Sequence, residues 1–370
     1  MPEPGVGEIL VRNLYFSVEP AIRARLDGKE TYMPPIGIGE PIQNPTVWRV
    51  VRSNHPGYED GEILHGFNDW DDYVLVSDDT LLLDRLAPEA GMPLSYYVGA
   101  LGGSGTTAYV GLHDVGGIQA GETVVISAAA GGVGSVAGQI ARLRGCRVVG
   151  LVGSAEKAAV VKGRLGFEQV INYRAVPDLA AAVREACPDG VDLYYDNVGG
   201  PTLDAMLVNM KSLGRIVACG MMAGYNQQDE PPPVRNLWEV VARQLRMQGF
   251  LLPFFPESIL KALEELHGWV RSGELQVLEN VTHGLHRAPE AFCSLMAGST
   301  VGKTLLELDG TDLHHPSVAT LEGQVSLAAA GGPLPRSARR RRAPPRSHAR
   351  PGAARSRRRW RAPSARRTSV

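Results

Sequence analysis

The chain is poor in the residues that would staple a small scaffold or hold a metal. Its four cysteines, Cys146, Cys187, Cys219 and Cys293, are scattered through 370 residues with no paired spacing. That excludes a disulfide framework and points to reduced thiols in a cytosol. Four-cysteine zinc spacing is absent, no Gly-His-Glu occurs, and His65 has no cysteine or acid at useful spacing. The sequence therefore offers no metal ligand set. Nothing resembles a signal peptide, and no run is long and apolar enough to span a bilayer, so no membrane partner is expected.

Charge is unevenly missing. Residues 311–370 hold 14 arginines, no lysine and two acids, Asp312 and Glu322, a net charge of +12. Of the 38 basic and 39 acidic residues in the whole chain, 24 and 37 remain for residues 1–310, a net charge of −13. The total of −1 thus hides two compositions. Residues 310–370 are low in complexity, rich in Ala, Pro, Arg and Ser, and show no periodicity. A disordered tail is expected there. Its arginine runs suggest nucleic acid, but lysine is absent and Trp360 is the only aromatic, which weighs against that partner. Shifted-frame translation of GC-rich DNA would give the same composition.

What the chain does have is one well-formed βαβ pattern. Residues 123–127 are a short apolar run of the kind found in buried parallel strands. Three alanines lead into Gly131, Gly132 and Gly134, and 133–143 has helical spacing with Val136, Ile140 and Leu143 on one face. A second apolar run follows at 147–152. Glycines allow close approach of backbone to a pyrophosphate, and a helix N-terminus supplies free N–H groups. Dinucleotide binding follows from those flanks.

Beyond it the alternation continues. Helices are expected at 156–165, 178–187, 201–210, 237–246 and 257–270. Strands are expected at 169–172, 191–195, 215–219, 247–252 and 304–308. This predicts an α/β fold with a doubly wound parallel sheet. Residues 1–98 read as an irregular β-rich domain, with strands at 8–13, 47–53 and 72–76. Glycines at 99–111 mark the crossing between domains, with Thr106 or Thr107 as a helix N-cap.

The cofactor type follows from another absence. In NAD-binding folds an acid about 20 residues past the glycines holds the ribose 2′-OH. Here Gly153-Ser154 stands at that position, with Lys157 one helical turn on and Tyr173 after the third strand. Lysine, serine and tyrosine suit a 2′-phosphate, so NADP(H) is expected. With no metal ligands, the chemistry must come from the cofactor's hydride and from site electrostatics. Hydride addition to an activated C=C leaves an enolate that a hydroxyl can stabilise. Tyr225 is placed for that role just after the fifth strand, and a buried packing role against the cofactor, without a proton role, is the competing reading. Tyr32, in the rigid Tyr-Met-Pro-Pro loop, either points into a cleft or is a surface residue.

The motifs LYFSVEP at 14–20, AAAGGVGSVAGQ at 128–139, GSAEK at 153–157, YDNVGG at 195–200, CGMMAGYN at 219–226 and Gly302-Lys303 resemble one family. It is the zinc-free medium-chain dehydrogenase/reductases, in the prostaglandin reductase and leukotriene B4 12-hydroxydehydrogenase group. The resemblance covers about residues 1–309.

It implies a Rossmann domain at 99–273 and a GroES-like catalytic domain at 1–98, completed by 274–309, in a homodimer. It implies NADPH-dependent reduction of the C=C bond of α,β-unsaturated ketones or aldehydes. Cofactor contacts carry over to Ala130, Gly131, Gly132, Val133, Gly134, Lys157, Tyr173, Asn197, Cys219, Gly220 and Tyr225. Substrate contacts carry over to Tyr32, Phe67, Asn68, Phe250, Leu251 and Leu252. The chain departs from the family at Thr300, where an asparagine near the nicotinamide is usual, and in lacking a strand pair before Gly7. Quinone reduction, or cofactor binding with little catalysis, are the alternative functions.

Overall fold

In the computed structural model, residues 1–28, 31–78, 80, 84–227 and 230–308 are described. The expected tail at 310–370 lies outside them. The N-terminal strands are β1 (Ile9–Ser17), β2 (Gln43–Ser53), β3 (Ile63–Asp69), β4 (Tyr73–Val76) and the short β5 (Asp84–Arg85). All their mutual pairings are antiparallel. The chain returns to the same sheet near its far end with β12 (Glu279–His283) and β13 (Lys303–Glu307), where β13 pairs with β1. The order is β12-β13-β1-β2-β3-β5, with β4 beside the other half of β1.

Between these segments lie β6 (Thr123–Ile126), β7 (Arg147–Val152), β8 (Gln169–Asn172), β9 (Val191–Asp196), β10 (Met210–Ala218) and β11 (Arg246–Gly249). They form a six-stranded, all-parallel sheet in the order β11-β10-β9-β6-β7-β8. The order reverses between β6 and β9, which is where doubly wound sheets open a crevice for a ligand. β6 is fully buried, as its run of β-branched residues requires.

Helices cover both faces of this sheet, and caps set several of their starts. Ser154 opens the helix Ala155–Gly163 by accepting from the Lys157 N–H, and Asp178 opens Leu179–Ala186 by accepting from Ala181. Pro201 sits in the first turn of Gly200–Leu207, as expected. Close helix–sheet contact is made possible by Gly138, where an added Cβ would lie 1.8 Å from the Phe167 ring. Burial of that ring is worth about 2 kcal/mol.

Four expectations need correction. The helix at Gly103–Val110 is capped by Gly102, while Thr106 lies inside it and donates Oγ1 to the Gly102 carbonyl at 2.9 Å. That back-bond removes the hydroxyl from an N-cap role. The helix expected at 237–246 is only Trp238–Ala242. Arg243 is held instead by Glu239 and by the Met210 and Val208 carbonyls, and Gln244 takes a left-handed φ of 52°. The strand expected at 247–252 is Arg246–Gly249, so Phe250, Leu251 and Leu252 lie beyond it. Finally, β3, β12 and the helix Ala288–Met296 were not anticipated. In β3 burial alternates strictly, but the buried positions are Leu64, Gly66 and Asn68, so hydropathy does not alternate.

Candidate active site

The glycine turn is built from the backbone outward. Ala128 adopts a left-handed φ of 48°, which a residue with a Cβ takes at some cost. This turns its carbonyl to accept from the Gly131 N–H at 2.9 Å. An added Cβ on Gly134 would lie 2.3 Å from that same oxygen. Gly134 is therefore required by close approach and not by its own φ. The helix Gly132–Leu143 begins here with no side-chain cap and no acid in its first turn. Its leading N–H groups, with those of Ala130–Val133 nearby, suit an anion.

A cationic cluster stands at the end of β7. An added Cβ on Gly153 would lie 2.8 Å from the Tyr173 hydroxyl, so the glycine leaves that hydroxyl room. Arg174 stacks over the Tyr173 ring at 5.8 Å. Lys157 donates Nζ to the Gly298 carbonyl at 2.7 Å. Burial, and then the neighbouring Arg174 charge, pull the Lys157 ammonium below the usual lysine range. Two cations this close invite a shared anion. Arg174 was not singled out from the sequence, although it adjoins Tyr173.

At the carboxyl edge of β9, buried Asp196 accepts from the Val198 and Gly199 N–H groups, both at 2.9 Å, and from Tyr194 at 2.8 Å. Burial raises its pKa against the pull of these donors. Asn197 is locked to Ser127 through its backbone N–H and its side-chain amide, both at 2.8 Å. The Asp196 carbonyl in turn accepts from Cys219 and Gly220, which begins the loop to Tyr225. Burial pushes the Cys219 thiol up to about 12, so it is a neutral wall residue.

The tyrosine end joins distant segments. Burial, reinforced by Tyr225, Glu19 and Cys219, pushes the Tyr32 phenol up to about 12. Tyr32 is nonetheless 57% exposed, so its burial is partial. Tyr225 accepts from the Met221 N–H at 3.4 Å, and its phenol is raised chiefly by burial. Both hydroxyls stay protonated at neutral pH.

Below them Lys303 reaches Glu19 at 3.1 Å, and Ser17 donates to the same carboxylate oxygen at 2.7 Å. Burial opposes the Glu19 charge, yet Lys303 and Ser17 hold it below the usual range. The stem of Lys303 runs where Gly99 and Gly132 lack side chains. Gly302 bridges to Gly131 and donates to the Ala130 carbonyl at 2.7 Å. This ties the tyrosine end to the glycine turn, with Thr300 buried just upstream.

The remaining expected positions are placed less directly. Phe67 is half-buried on β3 opposite Pro45. Asn68 is buried and donates to Asn13 at 3.2 Å, which engages its amide within the sheet. Phe250 meets Phe255 edge-on at 6.3 Å, while Leu251 is exposed. His65 has a buried Nε2 without a partner, and burial lowers its pKa. Among the described residues no three His, Cys, Asp or Glu side chains converge as a metal site, and all four cysteines are free. No helix of the described residues is long and apolar enough to cross a membrane.

Residues 132–268 match the family model for the zinc-binding dehydrogenases, and residues 1–83 match the N-terminal domain of oxidoreductases. The tobacco (Nicotiana tabacum) NADP(+)-dependent 2-alkenal reductase is 39% identical over 83% of this chain and 88% of its own length. The Escherichia coli NADPH-dependent curcumin reductase is 38% identical over 84% of this chain and 90% of its own. Among solved structures, CurA from Vibrio vulnificus in complex with NADPH superposes with a TM-score of 0.78 at 33% identity, covering 84% of this chain and 93% of that one. With a Rossmann sheet, a second sheet completed from the far end of the chain, and these relatives, the chain belongs to the medium-chain dehydrogenase/reductases, in the group of the alkenal, curcumin and prostaglandin reductases.

Proposed function

We propose that this protein reduces the C=C bond of α,β-unsaturated ketones and aldehydes with NADPH. The observation that carries the reading is a pair of cations (Lys157, Arg174) with Tyr173 at the end of β7, where NAD-binding folds place an acid, together with two neutral phenols (Tyr32, Tyr225) that act on each other. The 2-alkenal and curcumin reductases, named for NADP(H)-linked reductions, support it.

The residues suit NADPH. Ala130, Gly131, Gly132, Val133 and Gly134 would cradle the pyrophosphate, with the leading N–H groups of the helix Gly132–Leu143 as donors. Lys157, Tyr173 and Arg174 would hold the 2′-phosphate, each charge-assisted bond being worth about 1.5–3 kcal/mol. Asn197, Cys219, Gly220, Tyr225 and Thr300 would line the nicotinamide side. Bound there, NADPH supplies the hydride that reduces the β-carbon of the substrate.

The protein's own part is electrostatic. Tyr225 donates its proton in a hydrogen bond to the carbonyl oxygen as enolate charge develops. Tyr32, kept neutral by burial, delivers or relays the α-proton. Tyr32, Phe67, Asn68 and Phe250–Leu252 form the substrate side. This reading routes no step through a metal, in keeping with the absence of spaced metal ligands in the sequence.

The same reading assigns 1–98 with 274–309 to a GroES-like catalytic domain and 99–273 to the cofactor domain, in a cytoplasmic homodimer. The edge strand β11 is exposed along its whole length, and Trp238, Val241, Met247, Phe254 and Leu260 are exposed large apolar side chains. An unpaired edge with that much apolar surface suits a second copy. Light scattering should give twice the chain mass, and a monomer at micromolar concentration would sink the dimer.

The deciding experiment is a panel of enones, enals and quinones assayed with NADPH and with NADH. Turnover of enones with NADPH is expected. Turnover of quinones alone, or of no member, would overturn the reading.

A further inference from the structure

The segment that runs from the helix Ala288–Met296 to β13 is held at both of its ends, a double hold that none of its assigned roles uses. Its start is a rigid cap. Gly298 takes a left-handed φ of 67° and donates its N–H to the Leu295 carbonyl at 2.9 Å, while Ser299 donates to the Ser294 carbonyl at 3.1 Å. This pair of bonds is a glycine stop that satisfies the last carbonyls of the helix. The Gly298 carbonyl accepts from Lys157 Nζ at 2.7 Å. The end of the segment is as firm. Gly302 donates to the Ala130 carbonyl at 2.7 Å and bridges to Gly131, and an added Cβ there would run into the Leu278 carbonyl. Only Ser299, Thr300 and Val301 separate the two holds, and Thr300 is buried between them.

Lys157 is the variable member of this arrangement. Backbone groups make the bonds at Gly302 and in the cap, whereas the bond at the Gly298 carbonyl depends on a flexible side chain. An ammonium has three donors, and one of them is spent on Gly298. Burial, and then the Arg174 charge, disfavour its charged form. A phosphate beside Lys157 and Arg174 reverses that balance. It compensates both cations, takes up donors that the ammonium has left, and fixes the side chain that reaches Gly298.

We propose that the segment 298–302 is a positioning strap, through which a 2′-phosphate bound at Lys157 fixes Thr300 and with it the nicotinamide end of the site. The 2′-phosphate then counts twice, once in cofactor affinity and once in kcat. The proposal goes beyond the reading of Lys157 as a phosphate contact, and it rests on that reading and on the place of Thr300 at the nicotinamide side.

The test separates the phosphate from the nicotinamide. 2′-Phospho-ADP-ribose and ADP-ribose differ only in the 2′-phosphate, and neither carries a nicotinamide. Hydrogen exchange at the amides of residues 299–302 is followed in the full-length protein with each ligand at saturation. The phosphorylated ligand should slow that exchange about 10-fold relative to ADP-ribose. In Lys157→Gln the difference should vanish, while slowed exchange at the glycine turn 131–134 persists with both ligands. Steady-state kinetics with an enone give a second readout. NADPH should exceed NADH about 5- to 10-fold in kcat, besides its lower KM. Proline can neither take the left-handed φ nor donate the N–H of residue 298, and the substitution leaves Lys157 and the glycine turn in place. Gly298→Pro should therefore lose the kcat difference and keep most of the difference in affinity. Equal exchange with both ligands, in spite of tighter binding of the phosphorylated one, overturns the strap and leaves the cofactor reading standing. A slowing that survives Lys157→Gln, or a Gly298→Pro enzyme with the wild-type kcat ratio, overturns the strap in the same way. Equal affinity for the two ligands would overturn the 2′-phosphate reading of Lys157, and the strap with it.

Discussion

The glycine-turn end of the cleft comes from one unbroken stretch, β6 through Arg174, whereas the tyrosine end gathers Glu19, Tyr32, Tyr225, Thr300 and Lys303 from separate segments. At the first end backbone atoms set the geometry. Ala128 is left-handed, its carbonyl caps Gly131, and Gly134 has no room for a Cβ. At the second end side chains set it, through one part-buried ion pair and two phenols. The difference teaches where tolerance should lie. A change in the turn is a packing error with nowhere to relax, while a change among the tyrosines removes one function from a site that can still assemble.

The largest effect is expected where that contrast is sharpest. Gly134→Ala should cost about 2 kcal/mol of stability from overpacking, and should weaken NADPH binding roughly 100-fold. Thermal melting and calorimetric titration would read both, and near-normal NADPH affinity would break the claim that the turn is rigid.

Next come the cations. Lys157→Ala and Arg174→Ala should each weaken NADPH about 10- to 50-fold and leave NADH unchanged. Because burial and Arg174 lower the Lys157 pKa, its ammonium is lost earlier than usual as pH rises. The preference for NADPH over NADH should therefore decline toward alkaline pH, and a flat ratio from pH 7 to 10 would remove Lys157 from the 2′-phosphate.

The smallest effects concern the phenols. Tyr225→Phe should lower kcat about 10-fold with little change in NADPH affinity. Tyr32, raised by burial to about 12, donates a proton at any pH below that value, so kcat should stay level through pH 10. A falling limb near 10, the ordinary tyrosine value, would mean that its hydroxyl is solvated.

Much of this was readable before the fold. The β6-turn-helix-β7 unit was legible because its signal is local: apolar strand residues, glycines and helical spacing lie side by side. Lys157 and Tyr173 drew attention for the same reason, at set distances from the glycines. β3 was missed because Gly66 and Asn68 occupy buried positions that hydropathy marks as polar or neutral. Arg174 was passed over because a surface arginine after a strand has no local signature, and only its stacking on Tyr173 identifies it. Thr106 was read as a cap from its type, and the backbone chose Gly102.

The sequence by itself determined the parallel sheet, the dinucleotide turn, the lack of an acid at the ribose position and the lack of spaced metal ligands, because each is a statement about neighbours along the chain. Only the tertiary structure decided that Gly302 docks on Gly131, that Lys303 reaches Glu19, 284 positions away in the chain, and that Arg23 meets Asn226 beside Tyr225. Those contacts depend on the far end of the chain returning as β12 and β13 to the first sheet. No local periodicity encodes that return, since it is a pairing between strands far apart in the chain.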